Sequence, residues 1–134
     1  MAVAISFLMD QGALFEGIAT IQNDDGSPFD LTDMLAYCQM KRSYFTQKAI
    51  NITAEVYGVP TDGKIKLSLK PSQTNEIKAC RYVYDVEVHD INDSEYVKRV
   101  LQGVITVSPQ ATKIPTSFNI TVESGETVIA DALN

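Results

Sequence analysis

Between Arg81 and Ser108 the chain carries the pattern that most restricts its fold. Tyr82, Tyr84, Val86 and Val88 recur at every second position, with Arg81, Asp85, Glu87 and His89 on the opposite face. A period of two places alternate side chains on opposite faces of an extended backbone, so this run reads as a half-buried strand. A polar break follows over Asp90 to Tyr96, where Asn92, Asp93 and Ser94 favour turns by bonding to their own backbone. The next run places Leu101, Ile105 and Val107 on one face and Val100 and Val104 on the other, so it reads as covered on both sides for part of its length. Together the two runs predict a long β-hairpin at the centre of a sheet.

The rest of the chain supplies further strands and turns. Val3–Leu8, Leu14–Gln22, Met34–Arg42, Ile50–Tyr57 and Lys64–Lys70 are the other candidate strands. Alternation is clearest in the last, with Ile65, Leu67 and Leu69 inward and Lys64, Lys66, Ser68 and Lys70 outward. Ala36, Cys38 and Met40 share one face of the third. Turn signals separate them at Gln11-Gly12, at Asn23 to Pro28, and at Gly58 to Gly63. Pro71 to Ala79 is polar and fits one helical turn capped by Ser72 or Thr74. No stretch shows helical periodicity beyond about two turns, so the fold class is all-β. Seven short strands with frequent turns indicate a two-sheet antiparallel sandwich. The chain divides into a β-sandwich domain over 1–110 and a C-terminal linker with a strand-like extension over 111–134. In that extension Phe118, Ile120, Val122, Val128 and Ile129 supply the apolar positions of a further hairpin.

At 134 residues the chain is long enough to bury a core in one domain. A net charge of −6 repels both a nucleic-acid backbone and an anionic membrane, which argues against either as the main partner. No apolar run is long enough to span a bilayer. Met1 to Met9 lacks a basic residue and a small-residue cleavage site, and reads as a first strand rather than a signal peptide. Cys38 and Cys80 match no metal-ligand spacing and are expected to be buried thiols. The three sequons, at Asn51, Asn92 and Asn119, are then chance matches.

Few residues suggest chemistry. His89 reads as a surface histidine beside an acid, since a general base needs an oriented partner and a pocket. Asp24, Asp25, Asp30 and Asp33 are close in sequence but lack the glycine and glutamate spacing of an EF-hand loop. They are better explained as turn formers. The Lys64, Lys66 and Lys70 stripe reads as a solvated face that could discourage edge pairing. The expectation is therefore a protein that is not an enzyme and has no cofactor or metal.

A set of motifs in fixed order points further. Asp25-Gly26-Ser27-Pro28-Phe29-Asp30-Leu31-Thr32 leads into a strand ending Gln39-Met40-Lys41-Arg42. Gly63-Lys64-Ile65-Lys66-Leu67-Ser68-Leu69 follows, then Tyr82-Val83-Tyr84-Asp85-Val86-Glu87-Val88, then Arg99 to Pro109. This order, over residues 3–110, resembles the small virion structural proteins of tailed bacteriophages, of the T4-like and marine phage type. Two positions depart from that pattern: Asp33 and the Cys80-Arg81 pair stand where the family has glycine, so those turns are expected to differ. The resemblance implies an immunoglobulin-like β-sandwich located in the virion and carrying no catalytic residues. Its partners would be other virion structural proteins at the neck, tail, baseplate or fibre attachment, in multiple copies, with no nucleic acid or membrane involved. Contacts through Phe118, Ile120, Val122, Val128, Ile129, Tyr44 and Phe45 are expected, in part by β-augmentation. The alternatives are a capsid decoration protein, or a receptor- or carbohydrate-binding module in which exposed aromatics, Tyr44, Phe45, Tyr57 and Tyr96, stack on sugar rings.

Overall fold

A computed structural model describes residues 3–112. The chain forms β1 (Val3–Ala4), β2 (Phe7–Asp10), β3 (Phe15–Thr20), β4 (Met34–Lys41), β5 (Ile50–Val56), β6 (Lys64–Leu69), α1 (Pro71–Thr74), β7 (Arg81–Asp90) and β8 (Asp93–Ser108). The all-β expectation holds, with α1 a single helical turn. Its N-terminus is tied by Gln73, whose Oε1 accepts from the Lys70 amide at 2.9 Å, and not by Ser72 or Thr74.

The strands form one curled sheet in the order β1-β8-β7-β4-β5-β6-β3, with β2 also on β8. The expected antiparallel arrangement is corrected: β1 and β2 run parallel to β8, so the sheet is mixed. Curling comes from β5, which changes partner midway. Ile50 to Ile52 pair with β4, whereas Thr53 to Val56 pair with β6. The far end of the sheet returns towards β2, where the Phe7 ring meets Phe15 edge-on at 5.9 Å.

Alternation in sequence becomes burial inside this curl. Ile65, Leu67, Val86, Val88, Leu101 and Ile105 are completely buried. Each such side chain contributes about 1.5–3 kcal/mol relative to exposure. The predicted hairpin is present, but its turn is tighter than expected: β8 begins at Asp93, directly after Ile91-Asn92. A second difference concerns Val100. The register pairs Val86 with Leu101 but Glu87 with Arg99, which leaves Val100 as the extra residue of a β-bulge. Val100 and Leu101 consequently both enter the core, although strict alternation sets them on opposite faces of the strand.

The first predicted strand, Val3–Leu8, is likewise two strands. The backbone breaks at Ile5-Ser6, where it crosses Gly103 of β8. The Ile5 amide donates to the Gln102 carbonyl at 2.9 Å, and Tyr84 Oη donates to the Ile5 carbonyl at 2.6 Å. At the two departures from the phage pattern the outcomes differ. Asp33 adopts φ 60°, the left-handed conformation a glycine there would take without strain, so that turn keeps a glycine-like geometry. Neither Cys80 nor Arg81 has a positive φ, so the second turn does not need a glycine.

The acidic residues of the 24–33 segment shape turns, as expected for two of them. Asp25 Oδ1 accepts from the amide and hydroxyl of Ser27, and Asp30 Oδ1 does the same from Thr32. In each case the hydroxyl bond first, and the amide bond second, hold the carboxyl below the usual range. The lysine stripe needs reassignment, because β6 lies between β5 and β3 and is no edge. Lys66 instead pairs across the sheet with Glu16 at 2.8 Å and lies over the Tyr57 ring at 5.9 Å.

Candidate functional site

The outward face of β4, β5 and β7 forms a groove of about 860 Å³. Its composition follows from the same alternation that builds the core. With Ala36, Cys38 and Met40 turned inward, Leu35, Tyr37 and Gln39 face out on β4. Asn51 and Thr53 do so on β5. Across the other side of β4, the register sets Tyr37 opposite Glu87, Gln39 opposite Asp85 and Leu35 opposite His89.

Tyr37 stands in the middle column, about half exposed, with its ring edge-to-face against His89 at 4.8 Å and 79°. His89 is a surface histidine beside an acid, as the sequence suggests, and the acid is Glu87: the His89 side chain is 39% exposed and its Nε2 lies 3.4 Å from Glu87 Oε1. On the β5 side, Gln39 Nε2 donates to Asn51 Oδ1 at 2.7 Å. That bond leaves Gln39 Oε1 and the Asn51 amide hydrogens with no protein partner among the described residues. Asp85 Oδ2 pairs with Arg99 Nε at 3.3 Å. The groove thus offers two exposed rings, Tyr37 and Tyr44, planar amides, and two carboxylates, of which Asp85 is paired with Arg99, with Lys41 also in its lining.

Of the residues predicted to bind partners, Tyr44 lines this groove and Phe45 follows it on the β4–β5 loop. Phe45 is 95% exposed. Tyr57 and Tyr96 are exposed on β-strand margins away from this lining. Phe118, Ile120, Val122, Val128 and Ile129 lie outside the described residues. Tyr37, Gln39, Asn51 and Glu87 were not singled out from sequence, although a large aromatic at an outward-facing strand position is a readable signal.

Beneath the groove, the buried Cys38 thiol is pushed up to about 12, by burial foremost and then by the Asp85 carboxylate. Cys80 is only partly buried, contrary to expectation. Burial first, and the neighbouring Cys80 thiol second, push the Tyr82 phenol up to about 12, and burial raises Tyr84 as well. These acids keep in the folded state a proton that the unfolded chain releases near 9 for cysteine and 10 for tyrosine. Their contribution is whole below those values and is lost as pH rises through the folded ones. The denaturant midpoint is therefore expected to fall between pH 9 and 12, in urea titrations at stepped pH. At pH 8, iodoacetamide should label Cys80 in the native protein and Cys38 only after unfolding. Labelling of both at equal rates would contradict the burial of Cys38.

No family model matches the chain, and no curated protein matches it. Among solved structures, it is similar to an internalin-like protein of Listeria monocytogenes, with 15% identity and a TM-score of 0.42 over 80% of this chain and 28% of that one. It is also similar to the R347E mutant of the SrpA adhesin of Streptococcus sanguinis, with 12% identity and a TM-score of 0.41 over 98% of this chain and 69% of that one. A family 123 glycoside hydrolase of Clostridium perfringens gives 10% identity and a TM-score of 0.38 over 87% of this chain and 25% of that one. The chain thus spans well under two thirds of the first and third.

Proposed function

We propose that this chain is a non-enzymatic structural protein of a tailed-bacteriophage virion, held in the particle by contacts with other virion proteins at the neck, tail, baseplate or fibre attachment. The observation that carries the reading is Phe45, 95% exposed beside the half-exposed Tyr44 on the β4–β5 loop. An exposed phenylalanine forgoes about 1.5–3 kcal/mol of burial that a neighbouring subunit can supply. Aromatic anchors of this kind dominate protein interfaces. Support also comes from the ordered motifs over residues 3–110, and from β3, which among the described residues pairs only with β6 and so offers an edge for an added strand.

The finer fold assignment, an immunoglobulin-like two-sheet sandwich, belongs to the same proposal. It is supported by the partner change within β5, which splits the curl into a β2-β8-β7-β4 half and a β6-β3 half. Their inward faces contribute to one core.

The test is mass spectrometry of gradient-purified particles of the encoding virus, with a photo-crosslinking amino acid at position 45. The expected result is multiple copies per particle and a crosslink from position 45 to another virion protein. Absence of the chain from purified particles would overturn the proposal.

A further inference from the structure

We infer that the β4–β5–β7 groove is a binding site for a neutral saccharide, with the exposed ring of Tyr37 as its stacking platform. The inference concerns the outward sheet face, which adjoins the Phe45 contact proposed above through Tyr44 but does not depend on it. Three features of the groove select the ligand class.

The first is the ring itself. Tyr37 is 54% exposed, yet the 4.8 Å contact with His89 fixes its orientation. A pre-oriented aromatic loses little freedom when a ligand lands on it. A pyranose presents a face of C–H groups that such a ring can cover.

The second is the polar rim. A sugar carries hydroxyls at its edge that both donate and accept. Around Tyr37 stand Gln39 and Asn51, whose mutual bond at 2.7 Å uses one donor of Gln39 and one acceptor of Asn51. Gln39 Oε1 is left to accept and Asn51 Nδ2 to donate. Glu87, opposite Tyr37 in the register, adds a carboxylate that accepts from two hydroxyls at once. A groove with little aromatic surface, Tyr37 and Tyr44, and a few convergent planar polar groups orients a ligand by hydrogen bonds rather than by apolar area.

The third is charge. Asp85 and Glu87 place two carboxylates on the groove wall with one lysine, Lys41, and Arg99 already pairs with Asp85, so Glu87 is the carboxylate without a lysine or arginine partner among the described residues. Glu87, opposite Tyr37 in the register, repels a phosphate, sulfate or uronate placed on that ring, which disfavours acidic sugars there. Glu87 would also be stripped of water by an apolar helix or lipid without compensation. A neutral, hydroxyl-rich ligand satisfies the Glu87 carboxylate and leaves the ring covered. The groove volume of about 860 Å³ accommodates a short oligosaccharide.

The test uses the full chain on an array of neutral bacterial-surface and mammalian oligosaccharides, followed by NMR titration of the isotope-labelled protein with the best ligand. The expected result is millimolar to micromolar binding, with the largest shift changes at Tyr37, Gln39, Asn51 and His89. Tyr37→Ala should weaken binding at least tenfold, whereas Tyr37→Phe, which keeps the ring, should stay within threefold. Asn51→Ala, at an exposed strand position, should weaken it several-fold with an unchanged thermal midpoint, which separates loss of the site from loss of the fold. Failure to bind any glycan on the array would overturn the inference. So would shift changes mapping elsewhere, or a crosslink from position 37 to another virion protein in assembled particles.

Discussion

Replacing Gly103 with alanine is expected to destabilise the protein by about 3 kcal/mol, the upper part of the range for single substitutions. The cause is a backbone crossing and not a lost contact. A Cβ at position 103 would sit 2.1 Å from the Ile5 carbonyl oxygen and 2.9 Å from its carbon. Backbone atoms cannot swing aside as a side-chain terminus can, so one of the two chains must move. If the first strand yields, the Ile5 amide leaves Gln102 and the Ile5 carbonyl leaves Tyr84 Oη, bonds of 2.9 and 2.6 Å. Each is worth about 1 kcal/mol net, and more if Tyr84 Oη is left buried without a partner. If β8 yields, the hairpin register beside the Val100 bulge is disturbed instead. Urea unfolding with amide exchange tells these apart: protection lost only over Val3 to Ile5 assigns the strain to β1. Tyr84→Phe alone should cost about 1–1.5 kcal/mol, and in combination with Gly103→Ala the losses should not add, because both act on the same Ile5 carbonyl. Full additivity would show that the first strand stays in place.

What could be read from sequence, and what could not, follows from the range of the interactions involved. The inward faces of β4, β5, β6 and β7 are local facts: a period of two in Cys38–Met40, Ile65–Leu69 and Tyr82–Val88 appears as burial without any knowledge of the neighbours. The Val100 bulge depends on which residue of β7 lies opposite, and the sequence of β8 does not contain that information. The same holds for the parallel pairing of β2 with β8, which joins residues nearly a hundred positions apart, such as Phe7 and Ile105. Lys64, Lys66 and Lys70 suggested an edge because strand order is a tertiary property. The groove lay between these extremes. Tyr44 and Phe45 were visible as aromatics in a loop, but Tyr37 becomes notable only when β5 and β7 flank it and place Asn51 and Glu87 alongside.

Phe7→Ala is expected to cost about 3 kcal/mol, the lower end of the range for phenylalanine truncation, because Phe7 is only partly buried. Its ring holds the two ends of the curled sheet together. It meets Phe15 on β3 at 5.9 Å, edge-on, and Tyr84 on β7 at 5.7 Å, tilted. No hydrogen-bonded ladder joins β2 to β3, so this aromatic cluster is the main tie between them. Gly17 is part of the same arrangement: a Cβ there would lie 2.7 Å from Phe7 Cε1, so the ring occupies the space that the missing side chain leaves. The two positions should therefore be coupled. In the native background Gly17→Ala must displace the ring and should cost about 1 kcal/mol or more. In the Phe7→Ala background the added methyl enters a vacated volume, and the same change should become neutral or stabilising. Guanidinium unfolding of the four proteins measures the difference directly. Equal costs of Gly17→Ala in both backgrounds would mean that the ring can move aside freely, and would leave the closure of the sheet to the Phe15 and Tyr84 sides alone.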